Sequence, residues 1–447
     1  MTTKTIGRQA VVIGAGMSGL AAAGALAKFF ERVLILERDD LPDRPVPRLG
    51  TPQSRHLHML LPGGQRALSD LFPNFEQDLI AAGSVPVRIS RDFRMEIANV
   101  VAFPQRDFGW VLYSATRPLY EMVTRRQLEK LANVTVRQGC AVSKIATDAD
   151  GVMSAAFENS NEIIRANLIV DASGRAAPTL AHLRSTGHVL PNEVAIGIDL
   201  QYTTTTFSIP VDAPDEWLGV GTWPNAPESR RVGYLMPVEG KRWIATFSGQ
   251  LGLLPPDDPE GFLDYARQFH TQTVYEAIKN AERTSGFERY GFQASIWRRF
   301  DHLKTFPHGL LAVGDSICRF NPVYAQGMSV AAQEARLLMQ VLTRQAAKTD
   351  PLDGLATTFF SESLPLIEGP WNMSAVPDMI YPEARGERPS DFKEQVQYGR
   401  ALRQAAVRHA AVHLAFTEVG QLLKPPSILQ APALDALIQA ELSKMVR

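Results

Sequence analysis

The residues Gly14-Ala15-Gly16-Met17-Ser18-Gly19 follow an apolar run, Ala10–Ile13, and precede a helical pattern from Leu20 to Phe30. A second apolar run, Val33–Leu36, ends at Glu37. Strand, glycine turn, helix, strand and acid in this order form the signature of a dinucleotide cradle. In such a cradle Gly14 makes the tight turn, Gly16 admits a pyrophosphate to the backbone, and Gly19 lets the helix pack closely on the strand. The helix start offers free N–H groups and a positive dipole end to the diphosphate. Glu37 lies 18 residues after Gly19, near the spacing of an acid that grips ribose hydroxyls.

That turn alone does not separate NAD from FAD, and two later motifs bear on the question. In Ala166–Arg175 (ANLIVDASGR) a short buried strand, Leu168–Val170, places Asp171 at its C-terminal end, where ligands sit in parallel sheets. In Gly309–Met328 (GLLAVGDSICRFNPVYAQGM) a strand, Leu310–Val313, leads to a Gly314-Asp315 turn, and a long helix runs from Gly327 through Leu342. Asp315 is suited to accept from ribityl hydroxyls, and the helix start at Gln326, Gly327 and Met328 offers N–H groups to a developing anion.

Other chemistry-bearing residues carry less. His409 and His413 share one helix face, but no acid lies between them to complete a metal site. No metal centre is expected. His56 and His58 read as satisfied or surface histidines, with a role at a flavin edge as the alternative. Cys318 reads as a small buried apolar group. No Gly-x-Ser-x-Gly elbow and no P-loop lysine occur.

The elements that hold these motifs suggest an interrupted nucleotide unit. Residues 1–85, 116–185 and 301–345 belong to it, and residues 86–115 and 186–300 form an insert. In the insert Val85, Val87 and Ile89 alternate, and Val194–Leu200, Arg231–Pro237 and Trp243–Ser248 read as strands of a mixed or antiparallel substrate sheet. Residues 346–447 read as helical. Leu402, Ala405, His409, Val412, Phe416, Val419 and Leu423 mark one face of a helix, and Gly369–Pro389 reads as a proline-rich loop bordering a pocket.

Composition bounds the function. At 447 residues, 45% hydrophobic and 21% charged, the chain has the make-up of a globular protein rather than a disordered, collagenous or disulfide-stapled one. A net charge of −1 gives no general attraction for nucleic acid or an anionic membrane. Two cysteines suit a reducing compartment, so a cytoplasmic location is expected. Ala10–Ala27 imitates a signal peptide, but the glycine turn inside it is the better explanation. No apolar run is long enough to span a membrane, and peripheral contact stays open.

The three motifs, in this order and spacing, resemble the flavoprotein hydroxylase superfamily of aromatic hydroxylases, squalene epoxidase, flavin halogenases and geranylgeranyl reductases. The stretches PQSRHLHMLLPGGQRALSDLFPN and PWNMSAVPDMIYP look most like bacterial polyene epoxidases of polyether biosynthesis. The resemblance implies an α/β fold: a Rossmann-like FAD-binding domain, interrupted by the substrate sheet and followed by the helical region. It implies FAD held by Gly14, Gly16, Met17, Ser18, Gly19, Glu37, Arg38, Arg55, Arg117, Val142, Asp171, Gly174, Gly314, Asp315, Pro322, Gln326, Gly327 and Met328. Arg117 would brace the diphosphate–ribityl region, Asp315 would bind the ribityl chain, the Gly327 helix would face flavin N1 and O2, and Pro322 would sit near the ring.

The implied reaction is monooxygenation of a hydrophobic small molecule by O2 through a C4a-hydroperoxyflavin, with alkene epoxidation as the favoured form. Candidate pocket residues on the sheet are Tyr234, Met236, Trp243 and Phe247. Electrons would come from NAD(P)H, bound transiently since no second glycine fingerprint occurs, or from a separate flavin reductase. The text Asp171-Ala172-Ser173-Gly174-Arg175 departs from the Asp-Gly motif of aromatic hydroxylases and looks like the halogenase and reductase branches. Against halogenation, no lysine lies between Lys28 and Lys130, and no Trp-x-Trp-x-x-Pro signature occurs. A reductase of isolated C=C bonds and a non-catalytic FAD-fold lipid carrier are the alternatives.

Overall fold

The computed structural model describes residues 4–98, 102–148, 151–158 and 160–446. Its nucleotide end is a five-stranded parallel sheet ordered Leu310–Ala312, Leu168–Asp171, Gly7–Ile13, Phe30–Leu36, Val134–Arg137. Alternation explains its two packed faces. Ala10, Val12, Val33 and Ile35 point into the main core with the helices Met17–Leu26 and Gly327–Gln345. Val11, Ile13, Leu34 and Leu36 point the other way, against a three-stranded meander of Val142–Thr147, Met153–Phe157 and Ile163–Ala166. Strands buried on both faces read as unbroken apolar runs, as these do.

A seven-stranded sheet forms the second layer system, ordered Cys318–Arg319, Glu288–Arg298, Glu193–Ser208, Arg242–Gly249, Arg231–Val238, Gly219–Trp223, Phe93–Ile97. It is antiparallel except for its last pair, where Phe93–Ile97 lies parallel to Gly219–Trp223. One face is covered by the helices Pro259–Arg267 and Thr273–Ile278, and the other turns toward the nucleotide end. The fold is the Rossmann-like α/β arrangement with an inserted sheet and a helical C-terminal region.

Two sequence expectations fail in that last region. The proline-rich stretch from Gly369 is not a loop up to Asp378, because Leu355–Asp378 is one helix with Pro365, Pro370 and Pro377 inside it. Burial outweighs the lost hydrogen bonds: Trp371 packs on Trp297 at 5.5 Å and Phe360 stacks on Phe300 at 5.1 Å. The single helix face through His409 is instead two helices, Phe392–Arg408 and Ala410–Gly420, separated by an extended His409. Arg106 explains the break. Its guanidinium donates to the carbonyls of Ala406 and Val407 at 3.1 and 3.2 Å and to Nδ1 of His413 at 3.0 Å, satisfying the exposed helix end. No helix among the described residues is long and apolar enough to cross a membrane.

Candidate functional site

A cavity of about 450 Å3 opens between the parallel sheet and the inner face of the seven-stranded sheet. At its nucleotide end, Gly14 adopts φ +99°, a left-handed conformation glycine takes without cost, and a Cβ there would meet the Ala172 carbonyl oxygen at 2.9 Å. Gly19 faces away from the cavity: its Cβ would lie 1.9 Å from the Gly14 oxygen, so it is the close-packing glycine the spacing predicts. Gly16 is different. A Cβ there would meet only Arg117 Nη2 at 3.9 Å, so the space above it belongs to the cavity.

Helix Met17–Leu26 begins at Gly16 without a side-chain cap or first-turn acid, and helix Gly327–Gln345 begins at Gln326 in the same way. Met17, Ser18, Gly327 and Met328 line the cavity. Two uncapped helix N-termini therefore turn unpaired N–H groups and positive dipole ends toward one space.

Charged groups between them form a buried network. Glu37 Oε2 accepts from the Ala15 N–H at 2.7 Å and Oε1 from the Asp39 N–H at 3.1 Å, so this acid braces the glycine turn while also lining the cavity. Arg48 pairs with Asp39 at 2.7 Å and with Glu37 and Glu121 at 3.3 Å each. Arg117 pairs with Glu121 at 2.7 Å. Asp315 lines the cavity, and its carboxylate makes no hydrogen bond with the protein among the described residues. Burial pushes its pKa up, while Arg117, Arg319 and Arg298 pull it back.

Gly14, Gly16, Met17, Ser18, Glu37, Arg38, Arg117, Val142, Gly174, Asp315, Pro322, Gln326, Gly327 and Met328 thus share one cavity lining. Four of the expected residues stand outside it, Gly19 among them. Arg55 pairs with Glu288 at 2.9 Å on the exposed side. Asp171 is wholly buried and accepts from the N–H and hydroxyl of Thr179 at 3.2 and 2.6 Å and from the Ser173 N–H at 3.0 Å, capping the Ala177–Ser185 helix. Gly314, at φ +63°, donates its N–H to Glu334 at 2.6 Å and makes room for Ser18, whose Cβ a side chain would meet at 2.5 Å.

The four sheet candidates are also corrected. Trp243 and Phe247 lie on the opposite face, where Trp217 stacks on Trp243 and Phe262 stacks on Phe247 at 4.0 Å. Tyr234 lies under the cavity floor, donating to the Val323 carbonyl at 2.9 Å, and Met236 belongs to the main core. The register sets this: Trp243, Ala245 and Phe247 share one face of their strand, and Ile244, Thr246 and Ser248 the other. The apolar half of the cavity is lined by Leu57, Met59, Tyr202, Tyr290, Phe292 and Phe320 instead. The alternation of Tyr290 and Phe292 was a usable signal for two of these; Arg48, in an irregular segment, carried none.

His56 and His58 also line the cavity. Nδ1 of His56 lies 2.7 Å from Thr204 Oγ1, which lies 2.8 Å from Thr246 Oγ1, and burial lowers the His56 pKa to about 4. Below the cavity, Asn321 Nδ2 donates to both carboxylate oxygens of Asp378 at 3.0 and 2.9 Å and the Tyr324 hydroxyl donates at 2.9 Å. This anchors the Pro322–Tyr324 turn, whose Pro322 reaches the cavity.

Residues 8–357 match the family model described as an FAD binding domain. The chain belongs to that family. Protein Rv3254 of Mycobacterium tuberculosis is 30% identical over 398 residues, 85% of this chain and 81% of that protein. Among solved structures, the flavin-dependent brominase Bmp2 superposes with a TM-score of 0.65 at 14% identity, each chain covered in full. PqsL, "a probable FAD-dependent monooxygenase from Pseudomonas aeruginosa", superposes at 0.64 and 14% identity over 90% of this chain and 99% of its own. At such identities the two structures share the fold alone with this FAD-binding protein. Its cavity fits the cofactor: a backbone cradle at Gly16, two uncapped helix starts, and an unbonded carboxylate at Asp315.

Proposed function

We propose that this protein is an FAD-dependent monooxygenase acting on a hydrophobic small molecule, with alkene epoxidation as its reaction. The observation that carries the proposal is that one cavity joins the dinucleotide cradle to an aromatic and aliphatic chamber. When bound and reduced, FAD supplies the activation of O2. The chain's own residues supply the setting. Gly14, Gly16, Met17 and Ser18 would receive the diphosphate on backbone N–H groups, Glu37 and Arg38 would meet the adenosine end, and Arg117 would brace the diphosphate.

Asp315 would accept from the hydroxyls of the bound cofactor, and the Gly327 helix start would offer its N–H groups to negative charge on it. Pro322, in the turn that Asn321 and Asp378 anchor, would form part of the wall of the cofactor's site. Leu57, Met59, Tyr202, Phe292 and Phe320 exclude water and orient an apolar substrate. No ionised acid–base pair is needed in that chamber, and burial holds His56 neutral. No lysine lines the cavity among the described residues, which favours oxygenation over halogenation.

Purified protein should carry or take up one FAD per chain. Supplied with NAD(P)H, alone or with a separate flavin reductase, it should convert a lipophilic alkene to a product heavier by about 16 mass units, the gain of one oxygen atom. A gain of about 2 mass units would instead establish reduction of the double bond, which the Asp171–Arg175 text also fits. Bound flavin that never turns over with any reductant would sink both enzymatic readings.

A further inference from the structure

The ribityl chain of FAD is a run of hydroxyl groups, each needing an acceptor once it leaves water. Asp315 offers one. A second acceptor is built into the segment that follows Pro52–Arg55. Nδ1 of His58 lies 3.0 Å from the carbonyl oxygen of His56. A carbonyl only accepts, so Nδ1 carries the ring proton. Burial and the neighbouring charge of Arg117 hold the His58 pKa down at about 3, so the ring is neutral at working pH and Nε2 presents a bare lone pair.

The surroundings leave that lone pair without a protein partner. Nε2 of His56 is sealed inside the protein, whereas Nε2 of His58 is not among the sealed polar atoms and makes no hydrogen bond within the described residues. His58 lines the cavity. The backbone on either side is pinned: the Leu57 N–H donates to Thr246 Oγ1 at 3.1 Å, and the Leu61 N–H donates to Ser329 Oγ, on the Gly327 helix, at 2.9 Å. The Arg117 guanidinium borders the space over Gly16, 3.9 Å from where a Cβ would stand, and its charge acts on both His58 and Asp315. The acceptor therefore opens on the same cavity as the diphosphate cradle, Arg117 and Asp315.

We propose that Nε2 of His58 accepts a hydrogen bond from a ribityl hydroxyl of FAD, making His58 a cofactor-binding residue and the partner of Asp315 in holding the polyol. This rests on the FAD reading above. A ring held neutral and aligned in this way is a fixed acceptor rather than a proton carrier.

The test is equilibrium titration of apoprotein with FAD, followed by flavin fluorescence and the visible spectrum, for wild type, His58→Leu and His58→Gln. Far-ultraviolet circular dichroism confirms that each variant folds. His58→Leu should weaken FAD binding about threefold to tenfold, the range for one neutral hydrogen bond. His58→Gln, whose Oε1 can accept from the same side, should recover most of it. FAD analogues lacking single ribityl hydroxyls supply the specific readout: one of them should bind wild type more weakly than FAD does, yet bind His58→Leu as well as FAD does.

Unchanged affinity in His58→Leu, or equal losses in both proteins for every analogue, overturns this inference and leaves the FAD reading standing. A loss of substrate affinity alone would assign the acceptor to a substrate hydroxyl and likewise overturn it. Wild type that binds no FAD at all removes both.

Discussion

Asp378 holds the turn beneath the cavity with a wholly buried carboxylate, and this has a measurable pH signature. Burial pushes its pKa from 3.8 up to about 7, against the pull of donors Asn321 and Tyr324. The folded protein thus holds the proton more tightly than the unfolded chain. This contribution to stability is fully present below the ordinary value of 3.8 and is lost as pH rises through about 7. At about 1.4 kcal/mol per tenfold change in proton affinity, the full span is at most about 4 kcal/mol.

Asp378→Asn removes the titration. Its stability relative to wild type should therefore rise between about pH 4 and about pH 8, by up to that amount. The absolute offset depends on how the amide avoids setting its Nδ2 against Asn321 Nδ2, but the slope does not. Glu334, whose pKa burial raises to about 8, adds a slope of the same sign to both proteins and cancels in the difference. Urea unfolding followed by tryptophan fluorescence across this range gives the comparison. A difference that stays flat with pH, or that falls, refutes the claim that burial dominates this carboxylate.

Three further outcomes follow from the same geometry. Gly16→Ala should leave stability within about 0.5 kcal/mol, since its Cβ meets only Arg117 at 3.9 Å, yet weaken FAD binding at least about tenfold; Gly19→Ala, facing a carbonyl oxygen at 1.9 Å, should destabilise the fold itself, and urea midpoints with FAD titrations separate the two. Phe247→Ala should cost about 3–5 kcal/mol of stability while leaving substrate affinity of the folded protein unchanged, because Phe247 lies on the far face of the sheet. Asp315→Ala should weaken FAD binding without loss of secondary structure, because no described residue depends on its carboxylate for a hydrogen bond.

The nucleotide end was legible because its information is local. Gly14, Gly16, Gly19 and Glu37 fall within one strand–helix–strand unit, where backbone conformation and helix polarity decide the role of each residue. Asp315 and Gly327 were legible for the same reason. Asp171 shows the limit: it stands at a strand end as expected, but the next helix in the chain, Ala177–Ser185, takes its carboxylate through Thr179, and strand-end position alone does not say whether an acid faces a ligand or a helix start.

The chamber was not legible. Period-two alternation states which residues share a face but not which face turns inward, and both faces of the inserted sheet are buried. Trp243 and Phe247 therefore read as pocket residues from the sequence but pack on the far face, while Tyr202, Phe292 and Leu57 line the cavity. The charge network around Arg48, the Arg106 contact that splits the C-terminal helices, and the anchor at Asp378 join residues far apart in the chain. Local spacing carries no trace of such pairs. Short-range order is written in the backbone preferences of neighbouring residues, whereas the shape and chemistry of the pocket depend on which distant surfaces the folded chain brings together.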